Sequence, residues 1–304
     1  DTLIDMLNRE IGKHTLIHKQ SVAFLGPAGT YSHVATKEIM QNLMKGSVRQ
    51  DDTEYIAVPS ILDVFEKVNR GEVNLGVVPV ENSIEGAVKD SMNLFLSNHV
   101  VVLKQYVLDI KHCLLSNVSS IDEVKIVKAH PQALGQCKLW LSKNVPGATL
   151  MPTSSNVTTQ VAQHEAIIAS KDTAGLYGLQ VLAENISDIV ENKTLFYLIT
   201  QNSNNFFTKE SLSKDVNTYI QESGIATVLF LLQAPDKVGI LRDVLTTFAG
   251  AGFNVSRVHS LPAGELGKYF FIIDVSVKQN ADMLQGIYAQ LEGVCTTVSV
   301  LGVV

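Results

Sequence analysis

Arginine is scarce in this chain: Arg9, Arg49, Arg70, Arg242 and Arg257 are the only five among 304 residues, which leaves 19 Lys among 24 basic side chains. No block of five or more Lys and Arg occurs, and 30 acidic residues bring the net charge to −6. That balance argues against nucleic acid and against an anionic membrane surface as partners. Cysteine is almost absent too. Cys113, Cys137 and Cys295 are odd in number and widely spaced, so neither a disulfide framework nor a zinc site is expected, and a reducing compartment fits. No run of eighteen apolar residues is present, so no membrane-spanning helix is expected. The opening Asp1-Thr-Leu is not a signal peptide, and the missing Met implies a cut or processed start; a soluble cytosolic protein is the expectation. Only 8 Pro, with 46% apolar and 18% charged residues, exclude a disordered or low-complexity chain. The length suggests two domains.

Leu3, Ile4, Leu7 and Ile11 stand at helical spacing and predict a short amphipathic helix over 1–20. From 21 to 202 apolar runs alternate with amphipathic stretches. Val22–Leu25, Leu75–Val80, Val100–Tyr106, Lys125–Ala129 and Ala166–Ala169 read as strands; Val34–Leu43, Ile61–Asn69 and Leu134–Leu141 read as helices. This is the rhythm of an α/β domain with covered sheets. Residues 203–223 are polar, without periodicity, and read as a linker. From 224 to 304 the order becomes β-α-β-β-α-β, the split, ferredoxin-like arrangement.

Four segments carry candidate chemistry. Gly26-Pro-Ala-Gly-Thr-Tyr-Ser lies between a strand and a helix, where glycines admit a ligand and free N–H groups attract an anion; a purely structural turn is the competing reading. Pro79-Val-Glu-Asn-Ser-Ile-Glu-Gly places Glu81, Asn82 and Ser83 where a strand emerges, poised to line a cleft or simply to cap a helix. Thr153-Ser-Ser-Asn offers hydroxyl donors for a carboxylate or an N-cap for Val157–His164, and the cap is the better reading of the residues alone. Asn192-Lys-Thr-Leu-Phe precedes a further strand. His112 and His130 have general-acid chemistry, although isolated histidines are more often structural.

In this order, together with His112-Cys-Leu-Leu, His130-Pro-Gln, Gln136-Cys and Gly175-Leu-Tyr-Gly-Leu-Gln, the segments resemble the prephenate dehydratases, most closely the dehydratase part of bacterial chorismate mutase–dehydratases. The resemblance covers nearly everything from Ser21 to Val304. It implies an α/β fold with a two-lobed catalytic domain like a type II periplasmic binding protein, followed by a ferredoxin-like ACT regulatory domain. It implies conversion of prephenate into phenylpyruvate, water and carbon dioxide, with no metal or organic cofactor. Thr194 is the implied hydroxyl donor near the leaving group. Thr30, Tyr31, Asn82, Ser83, Gly86, Thr153, Ser154, Ser155, Asn192, Leu195 and Phe196 are the implied substrate contacts. Val238, Gly239, Ile240, Leu241, Asn254, Ser260 and Leu261 are the implied contacts of an amino-acid effector, phenylalanine, at an interface in a homodimer or homotetramer.

The chain also departs from the family pattern. Leu195 stands where the family's Asn-x-Thr-Arg-Phe signature has Arg. Asn156 and Val157 stand where small alanines follow the hydroxyl cluster. In the C-terminal domain His259-Ser-Leu-Pro replaces Glu-Ser-Arg-Pro, and Gly239-Ile-Leu replaces Gly-Ala-Leu. Leucine cannot supply a bidentate carboxylate clamp. Three readings are therefore open: a dehydratase whose dianion is held by a Lys or by backbone N–H groups, a relative that decarboxylates prephenate but keeps the hydroxyl, and a silent sensor of a small acid. Leu261 in place of Arg leads to the expectation of weakened or altered phenylalanine inhibition.

Overall fold

The computed structural model describes residues 20–43, 53–154, 160–202, 206–264 and 268–304. The helix expected over 1–20 lies almost wholly outside them, as do Ser155, Asn156 and Val157. The first lobe contains β1 (Gln20–Leu25), α1 (Tyr31–Leu43), β2 (Thr53–Val58), α2 (Ile61–Asn69), β3 (Leu75–Asn82), the short β4 (Gly86–Ala87), α3 (Lys89–Ser97) and β5 (Val100–Asp109). β1 runs parallel to both β2 and β3. Val22, Ala23 and Phe24 are buried on both faces of the sheet, which is why their run is unbroken by polar residues. α2 starts where Ser60 caps it by accepting from Asp63 N at 3.1 Å, and its apolar stripe Val64, Phe65 and Val68 is fully buried.

The second lobe holds β6 (Cys113–Ser116), β7 (Ile126–Ala129), α4 (Pro131–Gln136), α5 (Lys138–Asn144), β8 (Thr149–Pro152), β9 (Glu165–Ala169), α6 (Lys171–Tyr177) and β10 (Gln180–Ala183), its sheet ordered β10-β6-β9-β7-β8. The helix expected over Leu134–Leu141 is two helices, interrupted at Cys137 with φ −115° and ψ 11°. The described part of the stretch expected to be helical to His164 is not helical; His164 has φ 65° and leads straight into β9. The chain returns by β11 (Lys193–Gln201), which inserts between β5 and β3 of the first sheet.

The stretch expected to be a linker holds α7 (Leu212–Ser223). Its surface is polar, but Leu212 and Val216 are fully buried and Gly224, at φ 77°, ends it in the left-handed conformation. Then follow β12 (Ala226–Ala234), α8 (Ile240–Gly250), β13 (Asn254–Pro262), β14 (Tyr269–Val277), α9 (Leu284–Val294) and β15 (Thr297–Val303), in the sheet order β13-β14-β12-β15. β15 also lies parallel against β5 through Gly302 and Val102, making one ten-stranded sheet. A Cβ on Gly302 would overlap the Val102 carbonyl, so the joint requires glycine. The sheet curls: Leu195, Tyr197 and Val102 of the first lobe share one buried cluster with Leu229, Leu261, Ile272 and Leu301 of the C-terminal domain.

Candidate active site

A cleft of about 820 Å³ opens between the lobes. The Gly26–Thr30 turn walls one side and is pinned to the second lobe. Thr173 Oγ1 donates to Gly29 O at 2.8 Å, and Tyr177 OH donates to Ala28 O at 2.7 Å. Gly29 has φ +91°, and a Cβ there would sit 3.2 Å from Thr173 Oγ1 and from the Tyr177 ring. The turn both lines the cleft and docks the lobes. Thr30 begins α1, its hydroxyl donating to Leu25 O at 3.0 Å. Among the described residues the Tyr31 and Ser32 amides find no acceptor, so the positive end of α1 faces the cavity that both residues line.

On the opposite wall a chain of side-chain hydrogen bonds has only one consistent polarity. Asn82 Oδ1 accepts from Ile84 N at 3.0 Å and Glu85 N at 3.1 Å. Backbone amides cannot reverse, so Asn82 Nδ2 must face Asn192 Oδ1 at 2.8 Å and Thr194 Oγ1 at 2.9 Å. Asn192 Nδ2 then donates to Gln136 Oε1 at 3.0 Å. That oxygen lies 2.9 Å from His112 Nε2, which must carry the proton, and His112 Nδ1 meets Tyr31 OH at 2.8 Å. Burial lowers the His112 pKa, against an opposing contribution from its bond to Gln136, so the neutral Nε2–H form is favoured. Burial raises the Tyr31 pKa, keeping its hydroxyl protonated.

Two donors are left over by this chain. Thr194 Oγ1 accepts from Asn82 and has no other partner among the described residues, so its proton is available to the cavity that it lines. Gln136 Nε2 is buried, unpartnered, and belongs to a residue on the same wall. Among the described residues no Lys or Arg lines the cleft, and the one carboxylate there is Glu85.

The structure brings Thr30, Tyr31, Asn82, Gly86, Ser154, Asn192, Thr194 and Phe196 together around this cavity. Ser83 is elsewhere: it is exposed, and its Oγ accepts from Lys193 N at 2.9 Å, tying β3 to β11. Thr153 continues β8 through its N–H to Ala129 O at 2.9 Å and does not line the cleft. Leu195 is on the wrong face. Thr194 pairs with Asn82 and Leu195 with Glu81, so strand alternation sends Leu195 into the buried cluster behind the cleft. His112, Gln136 and His130 line the cleft and were not among the expected contacts, although all three belong to the motifs that carried the resemblance. Of the expected effector contacts, Val238 is 98% exposed and Gly239 caps α8 in the left-handed region. Ile240 and Leu241 pack on the domain core, Asn254 and Ser260 are exposed on edge strand β13, and Leu261 is buried facing the first lobe.

A two-lobed α/β domain with a cleft between its lobes, joined to a βαββαβ domain, is the class of protein that the fold and site define. The prephenate dehydratase family model matches residues 22–204, and the ACT domain model matches 227–292. The chain belongs to the prephenate dehydratase family. The prephenate dehydratase of Methanocaldococcus jannaschii is 33% identical over 289 residues, covering 93% of this chain and 97% of that one. Among solved structures, the prephenate dehydratase of Arthrobacter aurescens in complex with L-Phe has a TM-score of 0.75 at 26% identity, covering 93% of this chain and 89% of that one. GqqA, described as a novel type of quorum quenching acylase, has a TM-score of 0.77 at 21% identity, covering 93% and 97%, and shares the fold. Among the described residues no helix is long and apolar enough to cross a membrane.

Proposed function

We propose that this cleft converts prephenate into phenylpyruvate, carbon dioxide and water, with Thr194 as donor to the departing hydroxyl. The observation that carries the reading is the fixed polarity of the Asn82–Asn192–Gln136–His112 chain, which leaves the Thr194 proton free on the cavity side. The bond from the ring carbon to its carboxylate breaks, the electron pair enters the ring, and the C4–O bond breaks as the ring becomes aromatic. The leaving oxygen departs as hydroxide, its charge stabilised without reorganisation by a hydroxyl already aimed at it, and becomes water with a proton taken from solvent, Thr194 keeping its own. Neutral donors and the amides of Tyr31 and Ser32 receive the two carboxylates, with Ser154, His130 and the spare Gln136 N–H nearby.

Incubation of the purified protein with prephenate, followed by ultraviolet spectrum and mass, tests this. Phenylpyruvate is expected; carbon dioxide release with a retained hydroxyl and no aromatic absorption would overturn it, as would binding without turnover. The non-aromatising reading rests on Leu195, and that side chain faces away from the cleft. For the C-terminal domain the proposed effector is phenylalanine, supported by the ACT match and the L-Phe complex of the Arthrobacter relative; titration calorimetry reads it directly. A cytosolic homodimer or homotetramer completes the proposal, and sedimentation equilibrium distinguishes the two.

A further inference from the structure

We infer that Arg257, in the C-terminal domain, is a positioning residue for Thr194, acting through the back of the two strands that carry the catalytic wall. The inference rests on Thr194 as the hydroxyl donor. β3 and β11 present Asn82, Thr194 and Phe196 to the cleft, and Glu81, Leu195 and Tyr197 on the reverse. β13 reaches that reverse face because its register with β14 shifts between Val255 and Arg257. Before the shift Val255 packs on the helix side; after it Arg257 lies opposite Asp274, and Leu261 joins the cluster shared with the first lobe. A bulge of this kind re-aims the side chains that follow it.

Arg257 bridges the domains from there. Its Nε is 2.9 Å from Glu81 Oε2, one Nη is 3.2 Å from Asp274 Oδ2, and that same nitrogen donates to Tyr197 OH at 3.2 Å. Tyr197 OH in turn lies 3.4 Å from Asp274 Oδ2. Glu81 shares a peptide bond with Asn82, and Tyr197 is three residues along β11 from Thr194. The guanidinium therefore holds both strands, β3 at the residue next to Asn82 and β11 three residues beyond Thr194. Leu195 and Leu261, the two positions that lack the family's arginines, are buried in the same cluster around it. Asp274 is only 2% exposed against Arg257. A buried carboxylate whose partner is removed is uncompensated and pushes its surroundings apart.

The test compares R257Q, R257K, Y197F and the pair E81Q and R257Q/E81Q in the full chain, with kcat and KM for prephenate measured per folded molecule. A catalytic group misplaced by about 1 Å costs about 100-fold, so R257Q should lose about ten- to a hundredfold in kcat with KM within about threefold. R257K should recover part of the loss. The double variant should be no worse than the poorer single variant, because both break one contact. A purely structural role would lower the melting temperature and leave kcat intact. Unchanged kcat in R257Q, or multiplicative losses in the double variant, would overturn the inference. Should R257Q not fold, R257K and Y197F decide, and wild-type kcat in both overturns it. Wild-type protein without turnover, or T194V with full activity, would instead sink the reading of Thr194.

Discussion

Replacing Asn82 by Asp changes the polarity of the cleft wall that carries Thr194 and almost nothing of its shape. The oxygen that accepts from Ile84 N and Glu85 N at 3.0 and 3.1 Å is kept. The other oxygen now faces three oxygens, Asn192 Oδ1 at 2.8 Å, Thr194 Oγ1 at 2.9 Å and Lys193 O at 3.1 Å. While Asn192 keeps its bond to Gln136, only Thr194 has a proton to offer it, so the hydroxyl turns from the cavity toward the new carboxylate. An unsatisfied buried acceptor costs about 1–3 kcal/mol of stability. Removing a donor aimed at a developing oxyanion costs about 100- to 1,000-fold in kcat, or about 2.7–4 kcal/mol. KM should hardly move, because this bond strengthens only as the C4–O bond breaks. Asn82 is buried, and burial among acceptors raises a carboxyl pKa. The protonated acid regains a donor, so N82D should recover kcat as the pH is lowered. Phenylpyruvate formation measured on folded protein, with T194V alongside, reads both effects. An N82D kcat within about threefold of wild type at about pH 8 would refute the polarity argument, since no donor would have been lost.

Three further outcomes follow from the same contacts. L195R brings a second cation beside Arg257 into a largely apolar cluster, opposite a Glu81 that Arg257 already holds, so stability should fall by several kcal/mol with no gain in prephenate affinity; a lower KM would show that this position reaches the cleft. G302A forces a methyl group against the Val102 carbonyl and should cost about 1–3 kcal/mol in chemical denaturation, whereas an unchanged midpoint would mean that β15 and β5 are not in contact. Burial raises the Asp274 pKa from 3.8 to about 6, despite the opposing effect of Arg257. The folded state therefore disfavours the ionised form by about 3 kcal/mol. This penalty is present above about pH 6 and fades as the pH falls toward about 4. Thermal unfolding of D274N against wild type should show it, the relative stability of wild type improving on acidification; the opposite slope would contradict it.

Much of the fold was legible in the residues. Buried parallel strands such as β1 and β3 have no polar face to obscure them, and α2 carries both a Ser60 cap and a clean apolar stripe. The helix α7 was not, because only Leu212 and Val216 of its twelve residues are buried and the rest resembles a linker. The site was legible as a set of motifs but not as a geometry. Thr194, Asn82 and Asn192 meet, and Gln136 joins them only because the end of α4 comes against the residue before β11, a distance in sequence that no local pattern spans. The misjudged face of Leu195 has a simple cause. Thr194, Leu195 and Phe196 are consecutive in β11, and alternation along the strand turns only the first and third to the cleft and the second to the cluster behind it.

The seam between β15 and β5 bears on how the molecule is made. β15 occupies an interior place, with β12 on one side and β5 on the other. During synthesis β5 emerges before either of its neighbours; β11 covers one edge first, and the other stays bare until the last strand is translated. An open edge beside a buried apolar face invites pairing with another nascent copy. The ribosome thus imposes a vulnerable interval on this protein, and its length is set by the distance between two strands that end as neighbours.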